Sequence, residues 1–112
     1  MPMMFGFAEH RRRLLEDEAR RFALEAPPYG AMRAWIVGEL ARGVVTPETE
    51  LELVIVQETV EPFQRRGEFW ESHLRPRVGT RYLVFTPDEA DEFEGADPLL
   101  REATMRGEVL VG

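Results

Sequence analysis

Apolar and polar positions follow two different rhythms along the chain. Ala8, Leu15, Ala19 and Phe22 fall at near-helical spacing among Arg and Glu, which predicts a helix over 8–25. APPYG, Ala26–Gly30, ends it, because proline cannot continue a helix. MRAWIV, Met32–Val37, predicts a short strand. GELARG then opens a short helix or turn, and VVTPETE is a connector punctuated by Pro47. LELVIVQ, Leu51–Gln57, is the clearest strand. Its Val/Ile content and alternating start suit a sheet with one face wholly buried. A second amphipathic helix is predicted over about 60–74, with Phe63, Phe69 or Trp70, and Leu74 inward, and RPRVG breaks it. TRYLVF, Thr80–Phe85, predicts a third strand. TPDEADEF reads as a helix start, with Thr86 as N-cap and acids in the first turn. DPLLREATMRG predicts a final helix with Asp97 as N-cap, Pro98 at its first position and Gly107 as its stop, and EVLV a last short strand.

This alternation of helices and strands predicts an α/β (α+β) class with one small mixed sheet, and 112 residues suit a single domain over 1–112. The apolar segment 1–7 stands apart. Met3, Met4, Phe5 and Phe7 are too many to leave in water without cost, so they either cap the core or join a homo-oligomer.

Composition narrows the function classes. No apolar run reaches the roughly 18 residues of a membrane span. The start is apolar and then basic, the reverse of a signal peptide, so cytoplasm is the default localisation. A net charge of −7 argues against a nucleic-acid groove and against anionic membranes. Every basic residue is Arg, and Asn is absent, a composition that fits a GC-rich, thermophile-like source. Without Lys there is no P-loop lysine and no Schiff base, and without Cys no thiolate metal site. His10 and His73 have no partner at metal spacing, and nothing marks Ser72 as a nucleophile. Arg11, Arg12 and Arg13 precede LEDE and read as a solvated helix face with i, i+4 pairs.

Two stretches carry candidate chemistry. In GELARG, Gly38 follows an apolar strand and Gly43 comes five positions later, a placement that lets a backbone approach a phosphate closely. Glu50 and Glu52, at i and i+2 entering a strand, point to one face and could form a metal clamp. Equally, they read as the solvent face of an edge strand. Arg42 suits a phosphate, or a pairing with Glu39 or Glu50.

In order, helix, AWIVGELARG, TELELVIV, helix, RYLVF and DPLLREATMRGEVLV resemble the minimal nucleotidyltransferases of the polymerase-beta-like superfamily, over roughly residues 10–111. The resemblance implies helices packed mainly on one face of the sheet. It also implies Mg²⁺ and ATP as ligands, with Gly38, Glu39, Arg42 and Gly43 at the nucleotide and Glu50 and Glu52 at the metal. The family writes Gly-Ser at its turn and Ser-Asp-x-Asp-Leu at its second strand, with a third carboxylate on its third strand. Here the serine position is Glu39, an acceptor-only anion, and the aspartates are Glu50 and Glu52, each a methylene longer. Between Arg81 and Leu83 no acid stands; the nearest is Asp88. Mg²⁺ demands near-ideal octahedral geometry. The expectation is therefore a degenerate, catalytically inactive member acting as an interaction module. The resemblance further implies a small helical HEPN-type partner, as in toxin–antitoxin-like pairs. The alternative is an active enzyme moving a nucleotide from an NTP to a protein or small-molecule acceptor.

Overall fold

The computed structural model describes residues 2–93 and 95–112, and the side chains of 6–93 and 95–112. Four strands form one mixed sheet: β1 (Arg33–Val37), β2 (Leu51–Val56), β3 (Thr80–Phe85) and β4 (Glu108–Val111), in the order β3-β2-β1-β4. β1 runs antiparallel to β2 and β4, while β2 and β3 are parallel. The helices are α1 (Pro2–Glu25), α2 (Gly38–Arg42), α3 (Arg66–Leu74), α4 (Pro87–Phe93) and α5 (Pro98–Arg106). β2 therefore lies inside the sheet. This corrects the edge-strand reading of Glu50 and Glu52: β2 pairs with β1 on one side and β3 on the other.

The period of two in the strands sorts the core into two layers. Ala34, Ile36, Leu51, Leu53, Ile55 and Val84 point to one face, where Leu15, Ala19 and Phe22 of α1 and Trp70 and Leu74 of α3 cover them. Trp35, Val37, Val54, Val56 and Phe85 point to the other, under Ala90 of α4 and Leu100 and Ala103 of α5. The α1/α3 layer is the larger, as expected for 8–25 and 60–74, and α4 and α5 add a smaller second one. In the larger layer Trp70 lies 5.4 Å from Phe22, and its indole donates to Gln57 Oε1 at 2.5 Å, so a fully buried N–H keeps a partner.

Two helix boundaries differ from the sequence reading. α1 starts at Pro2 rather than near residue 8, since Pro is tolerated in a first helical turn. The apolar expectation at Met3, Met4 and Phe5 lies outside the described side chains; Phe7 is 54% exposed. α3 starts at Arg66 rather than near 60. Pro62 is extended (φ −64°, ψ 149°), and a 3-10 turn at Phe63–Arg65 follows it. Proline disfavours helical backbone at the residue before it, which leaves Val60 100% exposed. Phe63 is not inward on α3; half exposed, it leans on Phe85 with ring centroids 5.5 Å apart.

The capping signals hold. Asp97 Oδ1 accepts from the amides of Leu99 and Leu100 at 2.9 and 3.0 Å. At α4, Thr86 Oγ1 accepts from Glu89 N at 3.2 Å and Glu89 Oε1 from Thr86 N at 3.0 Å, a reciprocal capping box. Gly107 ends α5 for a steric reason. Its φ is −68°, open to any residue, but a Cβ there would lie 2.7 Å from Ala103 O.

The same Glu89 also locks the two layers together. Arg66, buried at the start of α3, donates to both carboxylate oxygens of Glu89 at 2.5 and 3.0 Å, and to the carbonyls of Val84 and Glu61 at 3.0 and 2.8 Å. Arg66 holds the Glu89 carboxyl below its usual range, against the opposing effect of desolvation.

Candidate functional site

The turn after β1 is built around Gly38. Val37 is still extended, and Gly38 then takes φ +78° to start α2. Only glycine adopts that angle without strain. A second constraint acts there as well: a Cβ on Gly38 would collide with the carboxylate of Glu52. Gly43, at φ +77°, closes the five-residue helix, with its amide directed back to Glu39 O and Leu40 O.

The Gly38 amide is not free. It donates to Glu102 Oε2 of α5 at 2.7 Å, and Arg42 Nη1 reaches both oxygens of Glu102 at 3.2 and 3.4 Å. The chain's own carboxylate thus sits where the glycine turn would meet an anion. This corrects the expected pairing of Arg42 with Glu39 or Glu50: the partner is Glu102, on the neighbouring helix. Glu39 instead accepts from Thr49 Oγ1 at 3.2 Å. Thr49 is itself buried, takes the Thr46 amide at 2.9 Å, and gives its carbonyl to Arg11 Nε at 2.7 Å. Glu39 therefore ties α2 to the connector before β2. That network also takes Arg11 out of the solvated face expected of Arg11–Arg13; Arg12 pairs with Glu9 at 3.9 Å.

Glu50, just before β2, and Glu52, within it, do different things. Glu52 lies against Gly38 and pairs across the parallel ladder with Arg81 Nη1 at 3.4 Å. Where the resemblance called for a third carboxylate on β3, the neighbouring side chain on that face is a cation. Glu50, ahead of the strand, lies over Gly79, where an added Cβ would come within 2.6 Å of Glu50 Oε2. Only Glu52 has a charged partner, and among the described residues no group of three His, Cys, Asp or Glu could hold a metal ion.

Two shallow clefts flank Glu102. One, of about 350 Å³, lies between Ala41, Arg42 and Arg106; the other, of about 360 Å³, runs along Pro98, Arg101 and Met105. Sequence reasoning missed Glu102. It stands 64 positions from Gly38, and nothing in LLREATMRG marks it as that turn's partner.

No family model, curated protein or solved structure matches the chain. Among the described residues, no helix is long and apolar enough to cross a membrane.

Proposed function

We propose that the chain is a non-catalytic interaction module built on a nucleotidyltransferase-like fold. The observation that carries this reading is the Glu102 carboxylate on the Gly38 amide and Arg42. An NTP phosphate tail would need the same amide and the same guanidinium, and it would meet Glu102, Glu39 and Glu52 nearby. Two like charges at 4 Å cost about 1 kcal/mol in water and several times that near a protein surface. The residues present do not fit Mg²⁺ either: Glu52 is matched to Arg81, and among the described residues no third acid joins Glu50 and Glu52. The element order that carries the resemblance is the order of the fold, which supports a scaffold kept while its chemistry changed. A small helical protein of the HEPN type is the partner this reading implies.

Calorimetric titration with ATP and Mg²⁺ tests it. The natural chain should give no saturable heat. A variant combining Glu102→Ala, Glu39→Ser, Glu50→Asp and Glu52→Asp with Leu83→Asp on the same face of β3 should bind measurably. Tight binding by the natural chain, or labelling of an acceptor that Glu50→Ala abolishes, would establish the enzyme reading instead.

A further inference from the structure

α5 presents two faces. Leu100 and Ala103 point into the core beneath it. Pro98, Arg101, Glu102, Met105 and Arg106 recur at helical spacing on the outer side, and all but Glu102 are exposed. Three shallow clefts run into one another along this outer face. The two beside Glu102 share it and Arg106. The one along Pro98 also shares Ala96 and Pro98 with a third cleft, of about 330 Å³, that ends at Phe93 and Asp97. The groove they form follows the nine residues of α5, about 14 Å at 1.5 Å per residue. It is open along its length, so it suits the side chains of a docked segment better than an enclosed small molecule.

The groove reverses the charge of the molecule. The chain carries 21 acids against 14 arginines. The two clefts beside Glu102 are lined by Arg42, Arg101 and Arg106, with Glu102 as their one acid among the described residues. Glu102 is already matched by the Gly38 amide and by Arg42. No ion pair among the described residues involves Arg101 or Arg106. Two cations therefore stand unmatched on one helix face, beside a methionine that is 68% exposed. Arginine, methionine and aromatic residues are the types that contact surfaces enrich. The far end has the opposite sign. Asp97 lines it, with Oδ1 held by the helix cap, and Asp91 and Glu92 come just before Phe93.

We propose that the outer groove of α5 docks an acidic segment of a partner protein, with carboxylates on Arg101 and Arg106 and an apolar side chain against Met105 and Pro98. The charge gradient orients that segment: its acidic end lies over the last turn of α5, away from Asp97. Arg42 takes no part, because Glu102 holds it. A nucleic acid suits the groove less, since its phosphates would run on over a surface of net charge −7. This docking surface rests on the interaction-module reading above.

Amide chemical-shift mapping on the isotopically labelled full chain tests this. The probe is a short peptide carrying leucines at i and i+4 and then a run of glutamates, set against the same peptide with glutamines in their place. The glutamate peptide should shift the amides of 96–106 saturably below about 1 mM, and the glutamine peptide should bind at least about tenfold more weakly. Arg101→Glu with Arg106→Glu, both at exposed positions, should weaken the glutamate peptide at least about tenfold with the circular dichroism unchanged. Arg101→Lys with Arg106→Lys should keep most of its affinity, and Met105→Ser should weaken both peptides alike. No shift up to about 1 mM, equal shifts from the two peptides, or shifts centred on the α1/α3 side would overturn the proposal. So would an oligothymidylate that shifts the same amides at lower concentration than the glutamate peptide. Saturable heat from ATP and Mg²⁺ would remove the non-catalytic reading while leaving these shifts in place, so the two fail separately.

Discussion

The two faces of the sheet are held in different ways. The α1/α3 face is sealed by bulk: Phe22, Trp70 and six aliphatic residues of the strands interlock, with the Trp70–Gln57 hydrogen bond inside them. The α4/α5 face has a thinner apolar layer and is pinned at its edges by carboxylates: Glu89 on Arg66, Glu102 on Gly38 and Arg42, and Glu52 on Arg81. Gly38, Arg42 and Glu52 lie on or beside this second face, whereas Glu39 is tied through Thr49 toward α1. The difference teaches that a carboxylate near a glycine turn is not in itself a site. Here Glu39, Glu52 and Glu102 each have a fixed partner, and their role can be read as attachment.

The largest effect should come from the bulky face. Trp70→Ala removes a fully buried indole and leaves Gln57 Oε1 without its donor, so urea unfolding should show a loss of about 3–5 kcal/mol. The link between the layers comes next. Arg66→Ala should cost about 2–3 kcal/mol at neutral pH, because it strips Glu89 and two backbone carbonyls of their donor. The same pair sets an acid limit. Arg66 lowers the carboxyl of Glu89 in the folded state, so the stabilisation is complete above the usual value of 4.5 and is lost as pH falls below it toward the folded value. Unfolding midpoints taken at neutral pH and below 4.5 should fall less in Arg66→Ala than in the natural chain. An equal fall in both would show that other acids set the limit.

The smallest effect should come at the glycine turn. Glu102→Ala should cost only about 1 kcal/mol, since Arg42 is largely exposed, but it should speed hydrogen exchange at the Gly38 amide selectively. If that amide exchanges as before, Glu102 is not what shields it, and the contrast between the faces weakens.

The sequence made the elements legible where local chemistry decides them. Leu51–Val56 and Thr80–Phe85 announce themselves by branched and aromatic content, and Asp97 and Thr86 by their place before acidic or apolar turns. The start of α3 was misread because the apolar period seemed to run through Pro62, whose backbone constraint overrides it. At the candidate site, Gly38 was readable as a close-approach position, but what approaches it was not. Glu52 and Arg81 become neighbours only through the parallel register of β2 and β3, and Glu102 only through the packing of α5 beside β1. Those are tertiary facts, and spacing along the chain does not encode them.

The division of the core has an optical consequence. The chain has two tryptophans, and the sheet separates them: Trp70 belongs to the α1/α3 layer and Trp35 to the α4/α5 layer. Each layer therefore carries its own intrinsic fluorophore. Replacing either indole with phenylalanine leaves emission from one side of the sheet alone, so melting of the two sides can be followed separately without a dye.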